Sequence, residues 1–107
     1  MKQYTTPEQT AKLIELGLLP KRIQSVSDEG KMLLELMGFS IGELIEMLPK
    51  IVEDENSEYA TISIYYDTIN WVIDYQSPER CFYATSAIEL VDALYNMILK
   101  LKKEKII

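Results

Sequence analysis

The stretch from Ser86 to Lys103 constrains the fold more than any other, because it is the longest regular amphipathic segment in the chain. Its polar residues recur at steps of three or four, as they do along one narrow stripe of a helix: Glu89, Asp92, Asn96, Lys100 and Lys103. Most of the other residues are apolar, so this helix needs partners on two sides. Ser86 and Glu89 have the spacing of a capping box, which predicts that the helix begins directly after Ser86.

Two shorter helices are predicted in the first half of the chain by their start signals. Thr6, followed by Pro7 and Gln9, predicts a helix that ends at Gly17. Ser40 and Glu43 form a second capping box, and the helix after them is expected to end at Pro49. Its predicted inward residues are Ile41, Leu44, Ile45 and Leu48. Residues 28–37 fit a short helix about as well as a buried extended run, and we favour the helix.

The second half reads as strands up to the long helix. Apolar and polar residues alternate from Tyr59 to Tyr66, and a second run follows from Asn70 to Gln76, which predicts a hairpin with its turn at Asp67 and Thr68. Residues 81–84 add a short third strand.

These elements predict a single α+β domain over residues 1–107. We expect a small antiparallel meander of two or three strands, with the long C-terminal helix and two or three shorter N-terminal helices on one face. The inner side of the long helix should face the sheet with Leu90, Val91, Leu94, Ile98 and Leu101. On the sheet we expect Ile62 and Ile64, together with either Val72 or the pair Trp71 and Ile73.

Charge and composition narrow the classes of partner. The net charge of −6 argues against direct binding to nucleic acid or to an anionic membrane, because either surface attracts a basic protein. A single cysteine cannot form an internal disulfide, and the first nine residues contain no apolar run like that of a signal peptide. We therefore expect a cytoplasmic protein whose partner is another protein. The sequence is also compatible with a homo-oligomer.

Catalytic groups are scarce. The chain has no histidine, so a histidine base or a histidine-ligated metal cannot be built, and Cys81 is expected to be buried and unreactive. The four glycines are scattered rather than gathered in a phosphate-binding loop. We expect no enzyme activity, no cofactor and no metal. The one catalytic alternative is a hydrolase that uses the carboxylates of Asp67, Asp74 and Glu79.

The acidity is concentrated in the middle of the chain. Residues 28–58 contain nine acidic and two basic residues, and the charge run Glu53–Glu58 reads as a surface loop that lacks the spacing of a calcium-binding loop. Ordinary solubility explains these charges, but so does docking on a basic protein or imitation of DNA phosphates. Exposed tyrosines on an uncovered sheet face would also suit a protein interface. The candidate partner surface is therefore Glu43, Glu46, Glu53, Asp54, Glu55, Glu58, Tyr65 and Tyr75.

Three fragments carry a resemblance to known sequences. They are residues 4–17 (YTTPEQTAKLIELG), residues 39–50 (around SIGELIEMLPK) and residues 89–107 (around LVDALYNMILKLK). Together they resemble a group of short uncharacterised proteins from Bacteroides-type gut bacteria and their phages or integrated elements. The resemblance implies a bacterial, cytoplasmic protein of mobile-element origin, and it supplies no activity and no site residues.

Overall fold

The computed structural model describes residues 1–20, 32, 34 and 36–107. Its helices are α1 (Pro7–Glu15), α2 (Ile41–Met47) and α3 (Leu90–Lys103). Its strands are β1 (Ile51–Glu53), β2 (Tyr59–Tyr66), β3 (Trp71–Gln76) and β4 (Cys81–Ala87). The strands form one antiparallel meander in the order β1-β2-β3-β4, and α3 packs on this sheet. The predicted α+β class and the position of the C-terminal helix are confirmed.

Only part of the stretch 28–37 can be compared with its prediction. The described residues there with a helical assignment are Met32, Leu34, Leu36 and Met37, which agrees with the favoured helix. Residues 28–31, 33 and 35 lie outside the described part of the chain.

The starts of α1 and α2 confirm the predicted capping boxes. Thr6 Oγ1 accepts a hydrogen bond from the Gln9 amide at 3.1 Å, while Gln9 Oε1 accepts one from the Thr6 amide at 3.0 Å. Ser40 and Glu43 make the same reciprocal pair at 3.2 and 3.1 Å. Each box satisfies amides that the first turn of a helix leaves without intrahelical partners.

The N-terminal segment is joined to the start of α2 by backbone contacts. The Thr5 amide donates to Phe39 O at 3.0 Å, and the Phe39 amide donates to Thr5 Oγ1 at 2.9 Å. Gly38 has a φ of +76°, and a Cβ atom there would lie 2.7 Å from Thr5 O. Only glycine fits at position 38, because any side chain would collide with the backbone of the N-terminal segment.

The core lies between α3 and one face of the sheet. Val52, Ala60, Ile73 and Tyr75 are buried on this covered face, and Ile62, Ile64 and Trp71 are half-buried beside them. Of the two alternatives for β3, the pair Trp71 and Ile73 therefore faces the helix. The buried residues of α3 are Leu90, Val91, Ala93, Leu94, Met97, Ile98 and Leu101. They include every residue predicted for the inner side of this helix.

The predicted start of α3 is wrong. Ser86 does not cap the helix; it lies in β4 and pairs with Val72, while Ala87 pairs with Trp71. The N-cap is Glu89, whose side chain makes no capping bond and instead accepts from the Lys2 amide at 2.9 Å. The sheet extends β4 through the capping-box sequence because pairing with the whole of β3 satisfies more backbone groups than one helical turn would.

Two further corrections concern the edge near α2. The sequence did not predict β1, because three residues are too few to show a period of two, yet Val52 is buried opposite Ala60. Ile45, predicted to point inward from α2, is 39% exposed, whereas Leu44 and Leu48 are buried as expected. The sheet thus has four strands rather than two or three.

No helix among the described residues is long and apolar enough to span a bilayer.

Truncation of Leu94 tests the packing of α3 on the sheet. Leu94 is fully buried, so Leu94→Ala removes apolar contacts and leaves a cavity, and we expect a loss of about 2 to 5 kcal/mol in the free energy of unfolding. Chemical denaturation with urea measures this loss. Asn96→Ala, on the exposed side of the same helix, is the control and should change stability by less than about 0.5 kcal/mol. Equal losses for the two variants would contradict the observed orientation of α3.

Alkaline pH should destabilise the protein through Tyr75. Its hydroxyl donates to Pro49 O at 2.7 Å, and burial raises the pKa of Tyr75 far above the usual 10.0. The folded state therefore keeps this proton where the unfolded chain releases it, so stability should fall as the pH rises above 10. Tyr75→Phe should flatten this fall, as measured by urea denaturation between pH 8 and pH 11. The control Tyr59→Phe changes an exposed tyrosine and should keep the wild-type slope.

Candidate functional site

One face of the sheet carries no described helix, and we call it the open face. Side chains alternate along each strand, so the register places these residues on it: Ile51 and Glu53 from β1, Tyr59, Thr61, Ser63 and Tyr65 from β2, Val72, Asp74 and Gln76 from β3, and Ala84 and Ser86 from β4. Tyr59 is 58% and Tyr65 is 45% exposed. Ile51, opposite Thr61, is 56% exposed. These two tyrosines and one isoleucine supply exposed apolar area among small or polar side chains, which suits contact with another protein.

Asp74 forms a buried polar centre in the open face. Although it lies on the face away from the helices, it is only 2% exposed. Tyr65 Oη and Gln76 Nε2 donate to Asp74 Oδ2 at 3.2 and 2.9 Å. The other oxygen, Oδ1, is buried without a hydrogen-bond partner among the described residues. Partial desolvation and then the negative charge of Asp74 raise the pKa of Tyr65, which keeps its hydroxyl a donor.

The acidic run forms an ordered loop between β1 and β2, and Asp54 holds it together. Asp54 Oδ1 accepts the amides of Asn56 and Glu58, both at 2.9 Å, and the Asp54 amide donates to Glu58 O at 2.9 Å. The bond from the Glu58 amide is the largest of the effects that hold the pKa of Asp54 below its usual 3.8. The carboxylate of Asp54 therefore stabilises the conformation of this loop.

Arg80 ties the acidic loop to the turn between β3 and β4. Its guanidinium pairs with Asp54 and lies 3.6 Å from Glu58 Oε2, while its carbon atom Cζ sits 4.1 Å from the centre of the Phe82 ring. Ser77 Oγ, in the same turn, donates to Glu58. One cation thus offsets two of the acidic charges and joins two hairpin loops at the same end of the sheet.

The structure does not gather the predicted surface residues into one patch. The four acids Glu53, Asp54, Glu55 and Glu58 share one loop, and Tyr65 lies on the open face. Glu43 belongs to the capping box of α2, and Glu46 is exposed on the same helix. Tyr75 is fully buried on the covered face, so it is not part of any exposed surface.

The residues considered for catalysis are also dispersed. Asp67 lies in the β2–β3 turn and Glu79 in the β3–β4 turn, at opposite ends of β3, and Asp74 is buried between them. Cys81 is exposed rather than buried, a correction that follows from its position on the edge strand β4, where its thiol donates to Tyr83 O at 3.4 Å. Among the described residues, no group of three acidic or cysteine side chains is placed to hold a metal ion.

Sequence reasoning missed the two residues that organise this end of the molecule and the open face. The sequence predicts no role for Arg80, and it suggests Asp74 only as one of three carboxylates of the hydrolase alternative. An acid in the middle of the otherwise apolar run 71–75 was the available signal for Asp74, because burial of a charge needs donors nearby. No signal in the sequence placed Arg80 opposite the acidic loop, since the two are brought together by the sheet register.

Comparison with known proteins adds no relative. No protein-family model matches the chain, and neither curated proteins nor solved structures give a significant match.

Removal of the charge of Asp54 tests the role of the loop. Asp54→Asn weakens the bonds from two amides and from Arg80, so we expect a lower melting temperature at pH 7. Because the folded pKa of Asp54 is depressed, its contribution is present above the unfolded value of 3.8 and is lost as the pH falls through the folded value. Melting curves from pH 7 down to pH 3 should therefore show the deficit shrinking. Glu55→Gln, an exposed neighbour, is the matched control and should show no deficit.

Proposed function

We propose that this protein is a non-enzymatic protein-interaction module and that the open face is its binding surface. The observation that supports this most is the composition of that face: Tyr59, Tyr65 and Ile51 are exposed there among mostly small or polar residues. Tyrosine is enriched in the centres of protein interfaces because one rigid ring supplies a large contact area and a hydroxyl.

The acidic loop supports a partner that is basic next to its contact site. Glu53 and Glu55 are exposed and make no ion pair with a described residue, whereas Asp54 and Glu58 are held by Arg80. The loop lies at the end of the sheet and so borders the open face. In such an arrangement the tyrosines supply contact area and the rim charges steer a positively charged partner into place.

The second candidate is an acidic, DNA-mimicking inhibitor of a host nucleic-acid-binding protein. The exposed carboxylates of Glu46, Glu53 and Glu55 favour it, because none of them makes an ion pair with a described residue. The pairing of Asp54 and Glu58 with Arg80 counts against it, since it removes part of the charge that a mimic needs. We rank it below the interaction module.

We propose that this interaction module is a bacterial, cytoplasmic protein of phage or mobile-element origin. The resemblance of residues 4–17, 39–50 and 89–107 to short Bacteroides-type proteins supports it, and the single cysteine, which cannot form an internal disulfide, is compatible with a reducing cytoplasm. Such a protein meets host proteins directly, which is compatible with both candidates.

Quantitative capture from a bacterial lysate tests the proposed surface. The immobilised full chain is compared with Ala84→Arg, which places a long charged side chain on the open face beside Asp74, and with Asn96→Arg on the exposed side of α3. We expect mass spectrometry to find a protein that binds the wild type and Asn96→Arg but is depleted at least roughly tenfold on Ala84→Arg. Equal capture by all three chains, or none that repeats at low and moderate salt, would contradict the proposal.

The same assay separates the two candidates. Binding to a DNA mimic should fall steeply as salt rises, should be competed by duplex DNA, and should weaken when Glu53 and Glu55 are both changed to glutamine. Binding through the open face should not be competed by duplex DNA, and it should be weakened mainly by Ala84→Arg.

A further inference from the structure

The outer edge of β2 is only half occupied by β1. β1 pairs with Tyr59, Ala60 and Thr61, and one more bond runs from the Ile62 amide to Lys50 O at 3.1 Å. Lys50 therefore occupies the position opposite Ile62. Beyond it, among the residues that the structure describes, none pairs with the outer side of residues 63–66.

The backbone groups at this free edge belong to Ile64 and Tyr66. Residues of a strand direct their N–H and C=O groups alternately to the two sides, and Ile62 directs its N–H toward β1. Ile64 and Tyr66 therefore direct theirs to the same side, where no described strand receives them. Residues 59–66 include no charged residue and no proline, the usual features that protect an edge strand from pairing.

An apolar cleft runs along this free edge. It has a volume of about 620 Å³ and lies between α2 and β2. Its lining is mostly apolar, with Ile45, Leu48, Ile51, Ile62 and Ile64, and Glu46, Lys50 and Thr61 complete it. A strand added beside Ile64 would place alternate side chains over this cleft.

We propose that two copies of this chain pair through their β2 edges, antiparallel and across a two-fold axis at Tyr65. The two-fold axis must pass through a residue. An axis between two residues would pair a residue whose N–H and C=O groups point to the free edge with one whose groups point to β3, and the backbone hydrogen bonds between the copies could not form. An axis at Ile64 would bring Tyr66 of the second copy to the position that Lys50 fills. An axis at Tyr65 pairs Ile64 with Tyr66 of the second copy, and both residues exchange N–H and C=O bonds.

In this register the facing side chains match. Tyr65 meets its own copy on the open face, and Ile64 meets Tyr66 on the covered face, beside the apolar cleft. Asp67 of the second copy comes opposite Ser63, and both lie on the open-face side of the joined sheet. The two sheets then form one continuous sheet, and their open faces form one surface.

The other edge of the sheet is less suited to such pairing. The register between β3 and β4 shifts at Tyr75 and Gln76, where Gln76 pairs with Cys81 and Phe82 is passed over. An irregularity of this kind bends a strand and increases its local twist, which hinders addition of a further strand. The free part of β2 is regular.

Disulfide trapping tests the register directly. In a Cys81→Ser background, Tyr65→Cys places two cysteines in a non-hydrogen-bonded pair, whose Cα atoms are about 4.5 Å apart and within the range for a disulfide. Mild oxidation should give a cross-linked dimer. Tyr59→Cys, equally exposed on the same face but opposite Glu53 of β1, is the matched control and should cross-link at least roughly tenfold more slowly. Equal rates, or no dimer from Tyr65→Cys, would overturn the proposal.

Sedimentation of the unmodified chain gives a second test that does not depend on a cysteine variant. Because the interface is small, the average mass should rise from 12.4 kDa toward twice that value only as the concentration approaches the order of 1 mM. Ser63→Lys should strengthen dimerisation several-fold through attraction to Asp67 of the second copy, whereas Thr61→Lys, an equal charge change on the same face but opposite Ile51 of β1, should not. If the chain stays monomeric up to this concentration, pairing between copies is refuted, and a strand of another protein becomes the alternative occupant of the edge.

Discussion

The burial of α3 is the interaction on which the rest of the structure depends. This helix contacts β3 and β4 on one side and α2 on another, and seven of its residues are buried. Its more polar side is used as well, because Asp92 accepts hydrogen bonds from Lys2 Nζ and Gln9 Nε2 at 2.7 and 2.8 Å. The N-terminal segment and α1 are thus held by this charged contact together with the backbone bonds of Thr5 and the buried Leu13, while the sheet and α2 are held by apolar area. Since α3 covers one face of the sheet, it also decides which face stays open.

Local signals predicted the helix starts well, and competition with the sheet explains where they failed. Thr6 with Gln9 and Ser40 with Glu43 cap helices as expected because nothing else claims those backbone groups. Ser86 with Glu89 has the same spacing, yet Ser86 is taken by β4. Strand pairing with β3 is a non-local interaction, so a four-residue pattern carries no information about it. The short strand β1 escaped prediction for the same reason, because its partner Ala60 determines it more than its own sequence does.

The candidate site could be predicted in composition but not in arrangement. The sequence shows an acidic run and a tyrosine-rich sheet, and both exist in the structure. It does not show that Arg80 forms ion pairs with Asp54 and Glu58. These residues lie 26 and 22 positions before Arg80, and only the sheet register brings them into contact with it. Nor does it show which tyrosines are exposed: Tyr65 and Tyr75 lie on opposite faces of neighbouring strands, one at the surface and one in the core.

The order of the strands has a consequence for how the chain reaches this structure. Each strand of the meander pairs with its neighbour along the chain, and α3 follows β4 after only two residues, so the contacts of this half close short loops. The bonds between Thr5 and Phe39 and between Lys2 and Asp92 span far longer separations. We therefore expect residues 51–103 to assemble early on the folding pathway and the N-terminal segment to dock on them afterwards. Transient opening in the native state should follow the reverse order, with the first turn of α1 exchanging its amide protons ahead of β3.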